Sequence, residues 1–132
     1  MNAYETVVDL MSLYQNQYTQ VDKLWGYFSV VSIAVAGFVI SNEKATKSSR
    51  EAIAVVIAYA VFCIGNNIAL VKGQTLLYDL SCKASEVAIK ANVVKSGFIA
   101  LEPNEVFWFH FVVATSVCVG ILVIARLRQI AA

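Results

Sequence analysis

The chain has 132 residues, of which 59% are hydrophobic and only 14% charged; its formal net charge is +1 and its mean hydropathy +0.68. Soluble domains average about 25% charged and 45–50% apolar residues. The balance excludes a disordered chain, a collagen-like chain and a nucleic-acid-binding tail, and it argues against a lone soluble enzyme domain.

Residues 1–23 are mostly polar, with no Lys or Arg before Lys23. A cleavable signal peptide needs a basic start followed by an apolar core, so none is expected. Tyr4, Val7, Met11, Tyr14, Tyr18, Val21 and Trp25 recur at alternating intervals of 3 and 4. That spacing predicts an amphipathic N-terminal helix with a heptad seam. It runs without a break into residues 24–40, LWGYFSVVSIAVAGFVI, an uncharged stretch. At 1.5 Å per residue this stretch covers ~26 Å as a helix, close to the thickness of a bilayer's hydrocarbon core. It is the first expected transmembrane helix.

A short polar loop, residues 41–51, turns the chain back into a second uncharged run, residues 52–71, interrupted only by Asn66 and Asn67. The following segment, residues 72–95, carries a second seam: Gly73, Leu77, Leu80, Ala84, Val87, Ala91 and Val94, spaced 4 and 3 alternately. Ser96-Gly97 is the expected stop, with Gly suited to a left-handed C-terminal position. Residues 96–105 form a loop, and Pro103 fits the first turn of the next helix, or Asn104 its N-cap. Residues 106–125 are the third apolar run, with His110 as the only titratable imidazole of the chain, and residues 126–132 are a short basic tail.

Three such runs leave too little polar chain to cover them in water. The expected fold is an all-α integral membrane protein with three transmembrane helices. Because the first two spans are antiparallel, their extensions project from one membrane face as a helical stalk, with Tyr14, Tyr18, Leu77 and Leu80 in its seam. A pair of helices lying flat on the bilayer is the alternative, but neither polar face is rich in Lys or Arg. Lys44, Lys47, Arg50, Arg126 and Arg128 fall on the short-loop side; Lys23, Lys72, Lys83, Lys90 and Lys95 fall on the other. The counts tie, yet the short-loop set hugs the spans, so the positive-inside rule leans towards a cytoplasmic loop and C-terminus. The expected location is a bacterial-type inner membrane or plasma membrane.

Chemistry is sparse. Cys63, Cys82 and Cys118 are odd in number and show no CxxC spacing, so neither a disulfide framework nor a metal site is expected. No Ser-His-Asp set, Gly-rich phosphate loop or ligand cluster can be assembled, and no Asp, Glu, Lys or Arg lies at mid-depth in a span, as ion-coupled transport requires. No catalytic residue, metal or cofactor is expected. Trp25, Trp108 and His110 read as anchors at the membrane interface. Asn66 and Asn67 are the informative polar pair, since an amide exposed to lipid is costly. They either hold neighbouring helices together or line a pore, one bonding between helices while the other faces a lumen; Gln74, seven residues after Asn67, extends that face. Ser32/Ala36, Ala54/Ala58 and Ser116/Gly120 have the spacing of small residues at close helix contacts. The sequence thus leads to a small homo-oligomeric membrane pore or channel organised by a helical stalk. The alternative is a non-catalytic structural or accessory subunit of a larger membrane complex. The expected partners are the lipid bilayer, further copies of the chain and other membrane subunits, with no nucleic acid.

Overall fold

α1 (Ala3–Ser41), α2 (Ser49–Lys90) and α3 (Pro103–Ala131) account for nearly all of residues 3–131, which the computed structural model describes. A short 3-10 turn, Glu43–Thr46, joins the first two, and no strand occurs among the described residues. Met1, Asn2 and Ala132, the extreme ends of the expected N-terminal helix and basic tail, lie outside them. Each helix is long and apolar enough to cross a membrane. The expected N-terminal helix and first span are one continuous helix, as are the second span and its extension to Lys90. The basic tail is not a separate element: α3 continues through it to Ala131.

The helix ends follow from local chemistry. At the start of α2, the Ser48 backbone N–H donates to Glu51 Oε2 (2.9 Å) and the Glu51 N–H donates to Ser48 Oγ (3.4 Å), a reciprocal capping box. Pro103 opens α3, and the Glu102 N–H donates to Glu105 Oε2 at 3.1 Å. The end of α2 corrects the expectation. The helix stops at Lys90, not near Lys95, because Asn92 takes the left-handed conformation (φ 56°) that the sequence suggests for Gly97. Asn tolerates it because its side chain is short and polar. The Val93 N–H donates to Ala88 O (2.9 Å) and the Asn92 N–H to Ile89 O (3.0 Å), the paired bonds of a Schellman stop. One turn earlier, Lys90 pairs with Glu86 at 2.5 Å on the exposed face and holds that carboxyl below its ordinary range.

The chain divides into two units, one combining residues 1–25 with 69–107 and the other residues 26–68 with 108–132. In the first unit Val21, Leu70, Leu77 and Val106 form a core, with Tyr14, Leu24, Trp25 and Ala100 packed on it. The buried line on α2 is Leu70, Gln74, Leu77, Ser81, Ala84 and Ala88, which keeps intervals of 4 and 3. It shares Leu77 and Ala84 with the expected seam and lies one residue away from it elsewhere, so that Leu80 is only half-buried. On α1, Gln17 takes the place expected for Tyr18, which is 56% exposed. The reason is the same on both helices. A seam sought among apolar residues passes over Gln17, Gln74 and Ser81, whose polar atoms find partners inside. Gln17 Nε2 donates to Gly73 O at 2.9 Å, and Gly73 lets the helices close in, since a Cβ there would stand 3.3 Å from Val21 Cγ2.

The third side of this unit is a non-helical strap, residues 98–101, zipped to α2 by side chains. The Phe98 N–H donates to Ser85 Oγ (3.0 Å), the Ala100 N–H to Ser81 Oγ (3.0 Å), and Gln74 Nε2 to Leu101 O (2.7 Å). Backbone groups that a helix or sheet would satisfy are thus paired with three polar residues on one helix face. Gly97 is required here for proximity: a Cβ would collide with Ser85 Oγ. Gly97→Ala is therefore expected to lower stability by about 1–3 kcal/mol and to raise amide exchange at Phe98 and Ala100. Gly65→Ala, with nothing within 4 Å of an added Cβ, should leave that exchange unchanged. Hydrogen–deuterium exchange in detergent distinguishes the two.

Candidate functional site

The polar residues of the second unit lie in layers that tie its helices together. At the 3-10 turn, Asn42 Oδ1 accepts from the Lys44 N–H (3.1 Å) and shapes the loop. Arg128, reaching across from α3, donates to Val39 O (2.8 Å), Ile40 O (2.8 Å), Asn42 O (3.4 Å) and the fully buried Thr46 Oγ1 (2.7 Å). Its guanidinium thereby satisfies the last carbonyls of α1 and sits at the negative end of that helix dipole. Ser49 Oγ donates to Gln129 Oε1 at 3.2 Å beside it. A second layer pairs α1 with α2. Ser32 Oγ donates to Phe28 O (2.7 Å), so its single proton is committed and Tyr59 donates its hydroxyl to Ser32 Oγ (2.7 Å).

The third layer joins all three helices. His110 from α3 is 1% exposed. Its Nδ1 accepts from Asn67 Nδ2 at 3.0 Å, and its Nε2 donates to Asn66 Oδ1 at 3.1 Å. The two bonds together fix one neutral tautomer, protonated on Nε2, because Asn67 presents a donor to Nδ1. Phe28 of α1 lies against the imidazole with ring centroids 4.0 Å apart. Consecutive asparagines leave a helix about 100° apart, yet both carboxamides reach the one ring lodged between them.

The expected site residues are thus distributed over separate places. Asn66, Asn67 and His110 come together and are all buried. Both asparagines are turned inward in the single chain, and His110 is a packed core residue whose partners are two amides. Gln74 is buried in the first unit on the strap, apart from the amide pair. Tyr14 and Leu77 pack in the core of the first unit. Trp25 packs there as well, while Trp108 is 54% exposed and meets Phe111 edge-on at 5.9 Å. Sequence reasoning missed Phe28, the Ser32–Tyr59 pair and the Arg128–Thr46 cap. A lone Ser or Tyr in an apolar run gives no periodic signal, and Arg128 reads as a membrane-flanking charge.

No buried side-chain nitrogen or oxygen among the described residues lacks a partner, and no group of three or more His, Cys, Asp or Glu comes together there. What the arrangement does chemically is hold a neutral imidazole rigidly between helices. The outer surface is apolar, with Val30, Ile33, Ile57, Val61, Ile64, Phe109 and Val112 all exposed. Of the small-residue pairs, Ser32/Ala36 faces inward, whereas Ala54 and Ala58 are exposed and Ser116 is exposed beside a half-buried Gly120. The chain matches no protein-family model, no curated protein and no solved structure.

Replacing His110 by Leu removes the ring atoms that pair with Asn67 Nδ2 and Asn66 Oδ1 in a buried place. A loss of about 1–3 kcal/mol is expected, read by thermal unfolding in detergent. Changing Asn66 and Asn67 to Leu in the same chain should restore part of it, since the two amide groups that faced the ring are then removed with it. Simple additivity of the losses would contradict a shared network.

Proposed function

We propose that this is a multi-pass membrane protein that acts by packing: a non-catalytic structural subunit whose outward faces join it laterally to further membrane helices, first of all those of its own copies. The observation that carries this reading is the division of polar and small residues in the second unit. Its strongest hydrogen-bonding groups are used up inside one chain. Ala54, Ala58 and Ser116 face outward on otherwise apolar helices, and small residues of this kind let a second helix backbone approach closely. We place the three apolar runs in the bilayer and the charged segments of the first unit, which carry Asp22, Lys72, Asp79, Lys83 and Glu86, in the aqueous phase as the stalk, with the short loop cytoplasmic.

A homo-oligomeric pore is the second reading. It draws on the same outward faces, because Thr115 and Ser116 put two adjacent exposed hydroxyls in the middle of α3. In an oligomer these residues would border the lumen in place of the asparagines.

The deciding experiment is expression of the chain alone, with its mass measured in detergent and cross-linking through Ala58→Cys or Ser116→Cys after removal of the native cysteines. A defined multimer that cross-links at one of these positions, and not through Asn67→Cys, is the expected result. A monomer that cross-links at neither would defeat assembly through these faces. Ion flux through liposomes that Ser116→Asp makes cation-selective would move the conclusion to the pore.

A further inference from the structure

The first unit holds a cavity of about 340 Å³ between one face of α1, the start of the α2 extension and the 98–101 strap. That volume lies at the lower end of the range of small-ligand sites. Tyr14, Tyr18, Asp22 and Trp25 all line it from α1. They follow one another by 4, 4 and 3 residues and so share one helix face. The displaced seam explains the outward position of two of them. Gln17 and Val21 occupy the helix contact, and this turns Tyr18 and Asp22 out of it. The rings of Tyr14 and Tyr18 are 6.4 Å apart and inclined at 40°.

Asp22 is the one charged residue in the lining. Among the described residues its carboxylate has no ion-pair or hydrogen-bond partner. The floor supplies no donor for an anion, because the Gln74 amide is 3% exposed and already committed to Leu101 O. The opposite rim is apolar, with Ile99 67% and Leu101 65% exposed. A cavity with three aromatic residues, one unpaired carboxylate and no cationic side chain attracts a cation. A small metal ion or a primary ammonium asks for several oxygen acceptors. A methylated ammonium asks for none and is held by aromatic faces and a diffuse negative charge.

We propose that this cavity binds a quaternary ammonium group of the choline type, with Tyr14, Tyr18 and Trp25 around the methyl groups and Asp22 opposite the charge. The same head is carried by free choline and by a phosphocholine lipid. The proposal is independent of how copies of the chain assemble.

The test uses the full chain in a maltoside detergent with Trp108→Phe, so that Trp25 is the sole fluorescent indole. Tetramethylammonium chloride is titrated at constant ionic strength against sodium and ammonium chloride. A saturable change in Trp25 emission is expected with tetramethylammonium alone. Asp22→Asn and Tyr18→Leu, both at exposed positions and with circular dichroism confirming the helices, should each weaken it about threefold or more. Equal responses to all three salts, or unchanged affinity in both variants, would overturn the site. Competition then separates the sources. A phosphocholine amphiphile that displaces tetramethylammonium at lower concentration than choline assigns the site to a lipid head, and equal potency assigns it to a soluble compound. Equal displacement by a phosphoglycerol amphiphile would show apolar adsorption and contradict the proposal.

Discussion

An imidazole, an amide or a guanidinium buried among packed helices has to find its partner within the reach of a side chain, because burial removes the water that would otherwise supply one. Both units are organised by that requirement. In the second, His110 holds α2 through Asn66 and Asn67 and lies against Phe28 of α1, while Arg128 closes the end of α1 from α3. In the first, Ser81, Ser85 and Gln74 supply the partners of a strap that has no secondary structure of its own. Apolar packing alone leaves the rotation and register of such helices loosely determined. A bidentate contact such as Asn66–His110–Asn67 permits one register, which is the best-attested use of buried polar groups.

The sequence revealed the parts of the fold that rest on composition and punctuation. The three apolar runs, the Ser48–Glu51 turn into α2 and Pro103 at the head of α3 are visible because absence of charge, length and capping residues are local properties. The seam was legible only to within one residue. Its periodicity showed in Val7, Val21, Leu77 and Ala84, but its phase was set by Gln17, Gln74 and Ser81, which a search for apolar residues discards. The stop of α2 was misplaced for a similar reason: Gly97 is the more obvious left-handed residue, and its actual use, close approach to Ser85 Oγ, depends on a contact twelve residues back. The candidate site was half legible. Asn66, Asn67 and His110 stood out as the polar groups inside the spans, yet nothing in a single sequence shows that residues 43 and 44 positions apart face one another.

That pairing changes the functional argument. A free amide in an apolar helix invites a lumen, whereas an amide bonded to a neutral imidazole inside the same chain ties the helices together and leaves the outer surface apolar. The activity is then to be sought at the surfaces: the small-residue faces of the second unit and the aromatic cavity of the first. Stability of the bundle and recognition at its surfaces rest on different residues, so they can be altered separately.

The central claim is that one chain satisfies its own buried polar groups. Because the chain has a single histidine, nitrogen-15 NMR of the ring-labelled protein in detergent reports on His110 without ambiguity. The account predicts one neutral tautomer with the proton on Nε2, Nδ1 bare, and slow exchange with solvent, unchanged on dilution to the smallest species. A ring protonated on Nδ1, or one averaging between tautomers in contact with water, would contradict it.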